Sequence, residues 1–222
     1  MRLRELARAR RVIAVELQGH GHTRDIDRPF DFGSFGEDIA ALIRYLELGE
    51  ADLFGHSLGG GVCLRATIQH PELVRRLAIL SAPMRRDGWL PDVLEAMRTN
   101  DSANAEMFKQ GPMYAAWAAV APELDAFPTL MDKTGALLAT PYDWTDEVKQ
   151  ITAPTMLLFT DADSIGIAHI AEFFTLLGGG QADGSWDGSA PTAMRLAVLP
   201  NRTHYNGHQA PELSTYLDRF FA

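Results

Sequence analysis

The chain has 222 residues, enough at ~150 residues per domain for one large domain or two small ones, and its 46% hydrophobic and 22% charged residues exclude a disordered or collagen-like chain. Acidic residues outnumber basic ones by 29 to 20, and the net charge of −9 disfavours nucleic acid as a partner, because phosphate binding needs clustered Lys and Arg. The single cysteine, Cys63, can form neither an internal disulfide nor a thiolate metal site, and no apolar run approaches the ~20 residues of a membrane span. The expectation is a cytoplasmic protein with no membrane partner, no metal and no cofactor.

In chain order, Leu3, Leu6 and Ala7 make an apolar stripe at helical spacing among Arg2, Arg4, Arg8, Arg10 and Arg11, which predicts a helix with a solvated basic face. Residues 12–17 predict a short buried strand, stopped by Gly19 and Gly21. Phe35, Ile39, Leu42, Ile43 and Leu46 recur on one side of an amphipathic helix, with Glu37, Asp38 and Arg44 on the other. A strand at 51–54, a glycine-rich turn at 55–61, a helix at 62–70 halted by Pro71 and a strand at 77–80 follow. From 84 to 150, helical patterns broken by five prolines predict an inserted helical cap, leaving 1–83 and 151–222 as the core. The strand pattern returns at 155–159, followed by a helix at 167–177, a low-complexity loop at 178–189, a strand at 194–199 and a last helix at 211–221. Strands alternating with helices predict an α/β fold, a mostly parallel central sheet flanked by helices.

The strongest local signal is Gly55-His56-Ser57-Leu58-Gly59, a G-x-S-x-G pattern between a predicted strand and a predicted helix, the context of a nucleophile elbow. A sharp strand-to-helix turn strains the serine, small neighbours let the backbone pass, and the hydroxyl is lifted above the sheet edge. The Leu58 N–H then opens a helix, where developing negative charge is stabilised. Read alone, Gly59-Gly60-Gly61 can also make a simple tight loop. A serine hydroxyl is a poor nucleophile until a histidine takes its proton, and that histidine is oriented by a carboxylate.

Matching segments run in order along the chain: 11–22 (Arg-Val-Ile-Ala-Val-Glu-Leu-Gln-Gly-His-Gly-His), the elbow at 55–60, 151–155 (Ile-Thr-Ala-Pro-Thr), Asp161-Ala162-Asp163, and Leu199-Pro200 leading to Thr203-His204. With these the chain resembles the α/β-hydrolase fold family, in its cap-bearing, esterase-like branch. The resemblance implies the order serine, acid, histidine, with Ser57 as nucleophile. His204, in the loop after the last strand, is the implied base, and His208 is the remaining candidate. His20, His22, His56 and His70 lie too early for that order, and His169 falls inside a predicted helix. The acid follows the strand at 155–159, which leaves Asp161 and Asp163. In related sequences it stands three places after a small residue, here Thr160, which favours Asp163 and leaves Asp161 to cap a turn.

Serine at the elbow argues against the members of the fold that use an aspartate nucleophile. The implied activity is hydrolysis of small to medium apolar carboxylic esters or lactones through an acyl-enzyme, a small-molecule ester being the partner. Cap residues such as Phe108, Met113, Tyr114, Trp117, Phe127 and Met131 suit an apolar pocket. The family pattern also has strands and a His-Gly-type loop upstream of the point where this chain opens, and that loop gives a second oxyanion donor. The expected consequences are weak esterase activity and association of exposed sheet edges into a homo-oligomer. The alternative is a catalytically impaired hydrolase-fold protein that binds a ligand or serves as a scaffold.

Overall fold

The computed structural model describes residues 3–189 and 192–222. In chain order they form α1 (Leu3–Leu6), α2 (Phe32–Tyr45), β1 (Ala51–His56), α3 (Leu58–Gln69), β2 (Val74–Leu80) and α4 (Pro91–Ala96). Then come α5 (Ala105–Phe108), α6 (Pro112–Ala118), α7 (Phe127–Ala139), α8 (Thr145–Val148), β3 (Thr155–Ala162), α9 (Ile167–Leu176), β4 (Arg195–Thr203) and α10 (Leu213–Phe220).

The strands make one sheet in the order β1-β2-β3-β4, every neighbouring pair parallel. Parallel neighbours need long crossovers, and the helices that supply them cover the sheet, which is why residues 77–80 of β2 and 156–159 of β3 read as unbroken apolar runs. Alternate side chains go to opposite faces. Ala78, Leu80, Met156 and Leu158 pack with Leu199, with Leu6 of α1, and with Leu213, Leu217 and Phe220 of α10. Leu77, Ile79, Leu157 and Phe159 point the other way and are wholly buried.

The chain divides into two compact units. One comprises the residues up to Val12, Gly36–Leu90 and Tyr142–Ala222, and holds the whole sheet; the other comprises Ile13–Phe35 and Pro91–Pro141. These bounds differ from the 84–150 read from the proline spacing. Residues 84–90 and 142–150 fold with the sheet unit, because the Trp144 and Arg86 N–H groups bond the carbonyls of Met84 and Tyr142, and Trp89 pairs with Ile165. In the second unit, the Lys133 ammonium meets Asp25 at 2.6 Å and the Trp117 indole N–H donates to the Gly19 carbonyl at 3.1 Å. Those contacts bind 13–35 to 91–141. The aromatic residues expected to line a pocket build this unit's own core: Ala105, Phe127 and Met131 are buried with Phe108, Tyr114 and Trp117 packed on them, while Met113 is exposed.

The strand expected at 12–17 does not form. These residues belong to no ladder, and Ile13 and Val15 remain 40% and 46% exposed. A β-branched run favours a strand by packing against ladder neighbours, and among the described residues β1 has such a neighbour only in β2. Of the N-terminal arginines, Arg2 and the side chain of Arg4 lie outside the described residues, as does the side chain of Leu3. Arg8 and Arg11 are exposed, and Arg10 pairs with Asp218 at 3.0 Å. No helix among the described residues is long and apolar enough to cross a membrane.

Leu158 is wholly buried in β3, whereas Val198 in β4 is 45% exposed. In urea titrations Leu158→Ala should lower the unfolding free energy by about 2–5 kcal/mol and Val198→Ala by less than about 1 kcal/mol. Equal losses at the two positions contradict this account of the sheet.

Candidate active site

β1 ends at His56 and α3 begins at Leu58, so Ser57 alone makes the turn between them. It holds φ 54° and ψ −120°, a left-handed conformation that costs a non-glycine residue on the order of 1–3 kcal/mol. Its N–H donates to the Leu80 carbonyl at 2.9 Å. A Cβ at Gly55 would stand 2.1 Å from the Gly59 carbonyl oxygen, and one at Gly60 would stand 2.8 Å from Ala82 Cβ. The turn closes only because both positions lack that atom. No such demand falls on Gly59, where a Cβ would meet nothing within 4 Å; the second sterically required glycine is Gly60. Leu58 is the first residue of α3, and the first N–H groups of a helix have no intrahelical acceptor.

Ser57 Oγ lies 2.9 Å from His204 Nε2, and His204 Nδ1 lies 3.0 Å from Asp163 Oδ1. A carboxylate can only accept, so Nδ1 carries the imidazole proton and Nε2 is left to accept the Ser57 hydroxyl. The side chains of His204 and Asp163 are 8% and 2% exposed. Asp163 receives four further donors. Its Oδ2 accepts from Ser81 Oγ at 2.5 Å, from the Thr160 N–H at 2.9 Å and from Thr160 Oγ1 at 3.1 Å, and its Oδ1 accepts from the Ser164 N–H at 2.8 Å. Burial works to raise the pKa of this carboxyl, but the hydrogen bonds from His204, Ser81 and Thr160 outweigh it and hold the group below its usual range.

The other sequence candidates are engaged elsewhere. The Asp161 carboxylate accepts the Asn201 and Arg202 N–H groups at 2.7 and 3.0 Å, bracing β4 where its register against β3 shifts. His20 bonds the Gln18 carbonyl, His22 meets Glu16, and His70 meets Glu37. The His208 ring lies 5.4 Å from that of His56. His169 Nε2 accepts the Met84 N–H at 3.2 Å. Burial pushes the Cys63 thiol up to about 12, which leaves it without thiolate reactivity.

Three contacts at the site lie beyond what the sequence pattern indicates. His56 Nε2–H donates to the His204 carbonyl at 2.9 Å. The Trp89 ring sits 5.2 Å from that of His204, at 66° to it. The third is Ser81, whose only signal is a polar residue directly after the apolar run Leu77-Ala78-Ile79-Leu80. Among the described residues no cluster of three or more His, Cys, Asp or Glu could hold a metal ion.

The family described as alpha/beta hydrolase fold matches this chain over residues 3–194. The chain belongs to the α/β-hydrolase fold family. Over 79 residues, 35% of the chain, it is 39% identical to 2-hydroxymuconate semialdehyde hydrolase of Pseudomonas sp. strain CF600. That match covers 28% of the relative, so the chain spans under a third of its length. Among solved structures, the enol-lactonase of Burkholderia xenovorans LB400 is similar with a TM-score of 0.63 at 18% identity, over 92% of this chain and 78% of that one. A carboxylesterase of Bacillus subtilis is similar with a TM-score of 0.60 at 18% identity, over 89% and 68%. Both are likenesses of the α/β-hydrolase fold.

Within that fold, burial drives the imidazoles of His56 and His169 from an ordinary 6.5 down to about 4, with Arg85 adding to the effect on His169. Between pH 6.5 and about 4 both rings stay neutral in the folded chain, while the unfolded chain takes up protons. The unfolded state therefore binds more protons between pH 6.5 and about 4, and stability falls as the pH is lowered through that window. His169→Gln keeps an acceptor for Met84 and should remove about one proton from the slope of stability against pH, measured from urea midpoints. A slope identical to that of the parent chain contradicts the assignment.

Proposed function

We propose that this chain is a serine hydrolase that cleaves small to medium apolar carboxylic esters, lactones included, through an acyl-enzyme intermediate. The observation that supports it most is the continuous hydrogen-bonded path from Ser57 Oγ to His204 at 2.9 Å and from His204 to Asp163 at 3.0 Å. As Ser57 Oγ bonds to the acyl carbon, His204 Nε2 takes the hydroxyl proton, and the Asp163 carboxylate holds the resulting imidazolium through Nδ1–H. The substrate carbonyl oxygen becomes an oxyanion, and Leu58 N–H at the start of α3 is the donor assigned to it.

Collapse of that intermediate breaks the bond to the leaving alcohol, which takes the proton from Nε2 and leaves the acyl group on Ser57. Water then gives a proton to His204 and its oxygen to the acyl carbon. Ser57 departs with that proton and the carboxylic acid is released. A lactone follows the same course with its alcohol still tethered. The likeness to an enol-lactonase and a carboxylesterase supports an ester bond as the target, and the net charge of −9 gives a weak, salt-screened bias against anionic substrates.

A fluorophosphonate probe should modify Ser57, as located by peptide mass spectrometry, and Ser57→Ala should abolish the adduct. With para-nitrophenyl butyrate, Asp163→Asn should lower kcat by about 10⁴ and Asp161→Asn far less. Labelling at another residue, full labelling of Ser57→Ala, or faster cleavage of peptides or phosphoesters than of every ester refutes this reading.

A further inference from the structure

β2 ends at Leu80, and the next residue, Ser81, is fully buried with φ 54°. A buried non-glycine residue stays left-handed only where its surroundings fix it, and such outliers gather at functional sites. Here the surroundings are specific. The Ser81 N–H donates to the Leu158 carbonyl at 2.8 Å, Ser81 Oγ donates to Asp163 Oδ2 at 2.5 Å, and the carbonyl just before it, that of Leu80, accepts the Ser57 N–H at 2.9 Å. The pair Leu80-Ser81 therefore joins the turn that carries Ser57 to the carboxylate that faces His204.

The other donors to Asp163 differ in origin. Thr160 and Ser164 are its own neighbours in the chain, three places before and one after, and they move with it. His204 is the group being oriented. Ser81 is the one remaining donor among the described residues that reaches the carboxylate from a neighbouring strand. It alone refers the position of Asp163 to the end of β2, where the Leu80 carbonyl also accepts the Ser57 N–H.

We propose that Ser81 is a positioning residue: its hydroxyl fixes the Asp163 carboxylate so that Oδ1 faces His204 Nδ1, and its strained backbone serves that aim. The proposal rests on the roles given above to Ser57, His204 and Asp163. A hydrogen bond to a charged group is strong enough that losing it moves a rate by about tenfold to a hundredfold.

Two variants separate hydroxyl from strain, since Ser81→Ala loses the hydroxyl and keeps a Cβ at positive φ, whereas Ser81→Gly loses both. With para-nitrophenyl butyrate both should lower kcat by about tenfold to a hundredfold with little change in KM, and Ser81→Gly should be at least as stable as Ser81→Ala. Combined with Asp163→Asn, neither should lower kcat further, because the group they position is already lost. The proton NMR resonance of His204 Nδ1–H gives a readout that needs no substrate, and it should move in both variants. An unmoved resonance overturns the proposal whether or not esters are cleaved. A kcat restored in Ser81→Gly, or an undiminished effect in the Asp163→Asn background, overturns it as well. If the resonance moves but the parent chain cleaves no ester, the hold of Ser81 on the Asp163 and His204 pair stands and the hydrolase reading fails.

Discussion

Four parallel strands running out at one edge of the sheet are the constraint on which the candidate site depends. The register sets His56 beside Leu80, Leu80 beside Leu158, and Ala162 beside Thr203. The residues just past those ends, Ser57, Ser81, Asp163 and His204, therefore emerge along one line, although 147 positions separate Ser57 from His204. Open parallel sheets place their ligand sites at the carboxyl ends of strands for this reason. Burial holds the register, because Leu77, Ile79, Leu80, Leu157 and Leu158 have no exposed surface. A slip of two residues in β2 would keep every side chain on its face but carry Leu80 and Ser81 about 6.6 Å along the strand, breaking the bonds to Ser57 and Asp163 together.

Burial disfavours charge on two neighbours at that edge alike, and the groups around each decide whether a charge is kept. Asp163 is almost wholly buried yet favoured as a carboxylate, since five donors face its two oxygens. His56 has no comparable set of acceptors, and burial holds it neutral, with its pKa lowered to about 4. Neutrality suits its place. Its ring lies 5.5 Å from that of His204, where an imidazolium forms in the proposed reaction, and a second cation there would oppose it. A neutral His56 still donates through Nε2 to the His204 carbonyl, so it ties the histidine loop to the elbow without adding charge.

The parts of the molecule legible in the sequence are those fixed by local pattern. The elbow is legible because its turn demands a small residue at Gly55, within a strand-turn-helix context that spans only some twenty positions. β2 and β3 are legible as apolar runs because helices cover both their faces. Residues 12–17 are apolar too, apart from Glu16, but have no ladder neighbour, and strand propensity is chiefly packing against such neighbours. The grouping of 13–35 with 91–141 depends on Lys133 reaching Asp25 and Trp117 reaching Gly19, contacts across about a hundred positions that no periodicity encodes. Ser81 and His56 escaped for the same reason: their partners lie 82 and 148 positions away.

Strain collects where those strands end. Five non-glycine residues among those described have positive φ, and three of them, Ser57, Ser81 and Asn201, stand at or near the ends of β1, β2 and β4. Each such residue costs on the order of 1–3 kcal/mol, against a whole-domain stability of about 5–15 kcal/mol. The buried pair β2 and β3, directly behind the edge, is what allows the fold to carry that load. Glycine would relieve the strain at Ser57 and Ser81 at once, because it adopts positive φ freely. Glycine offers no hydroxyl, however, and both serines direct theirs into the hydrogen-bonded path from Ser57 through His204 to Asp163. Serine is the smallest side chain that carries a hydroxyl, so at each position the residue present is the least strained one that can still supply the bond.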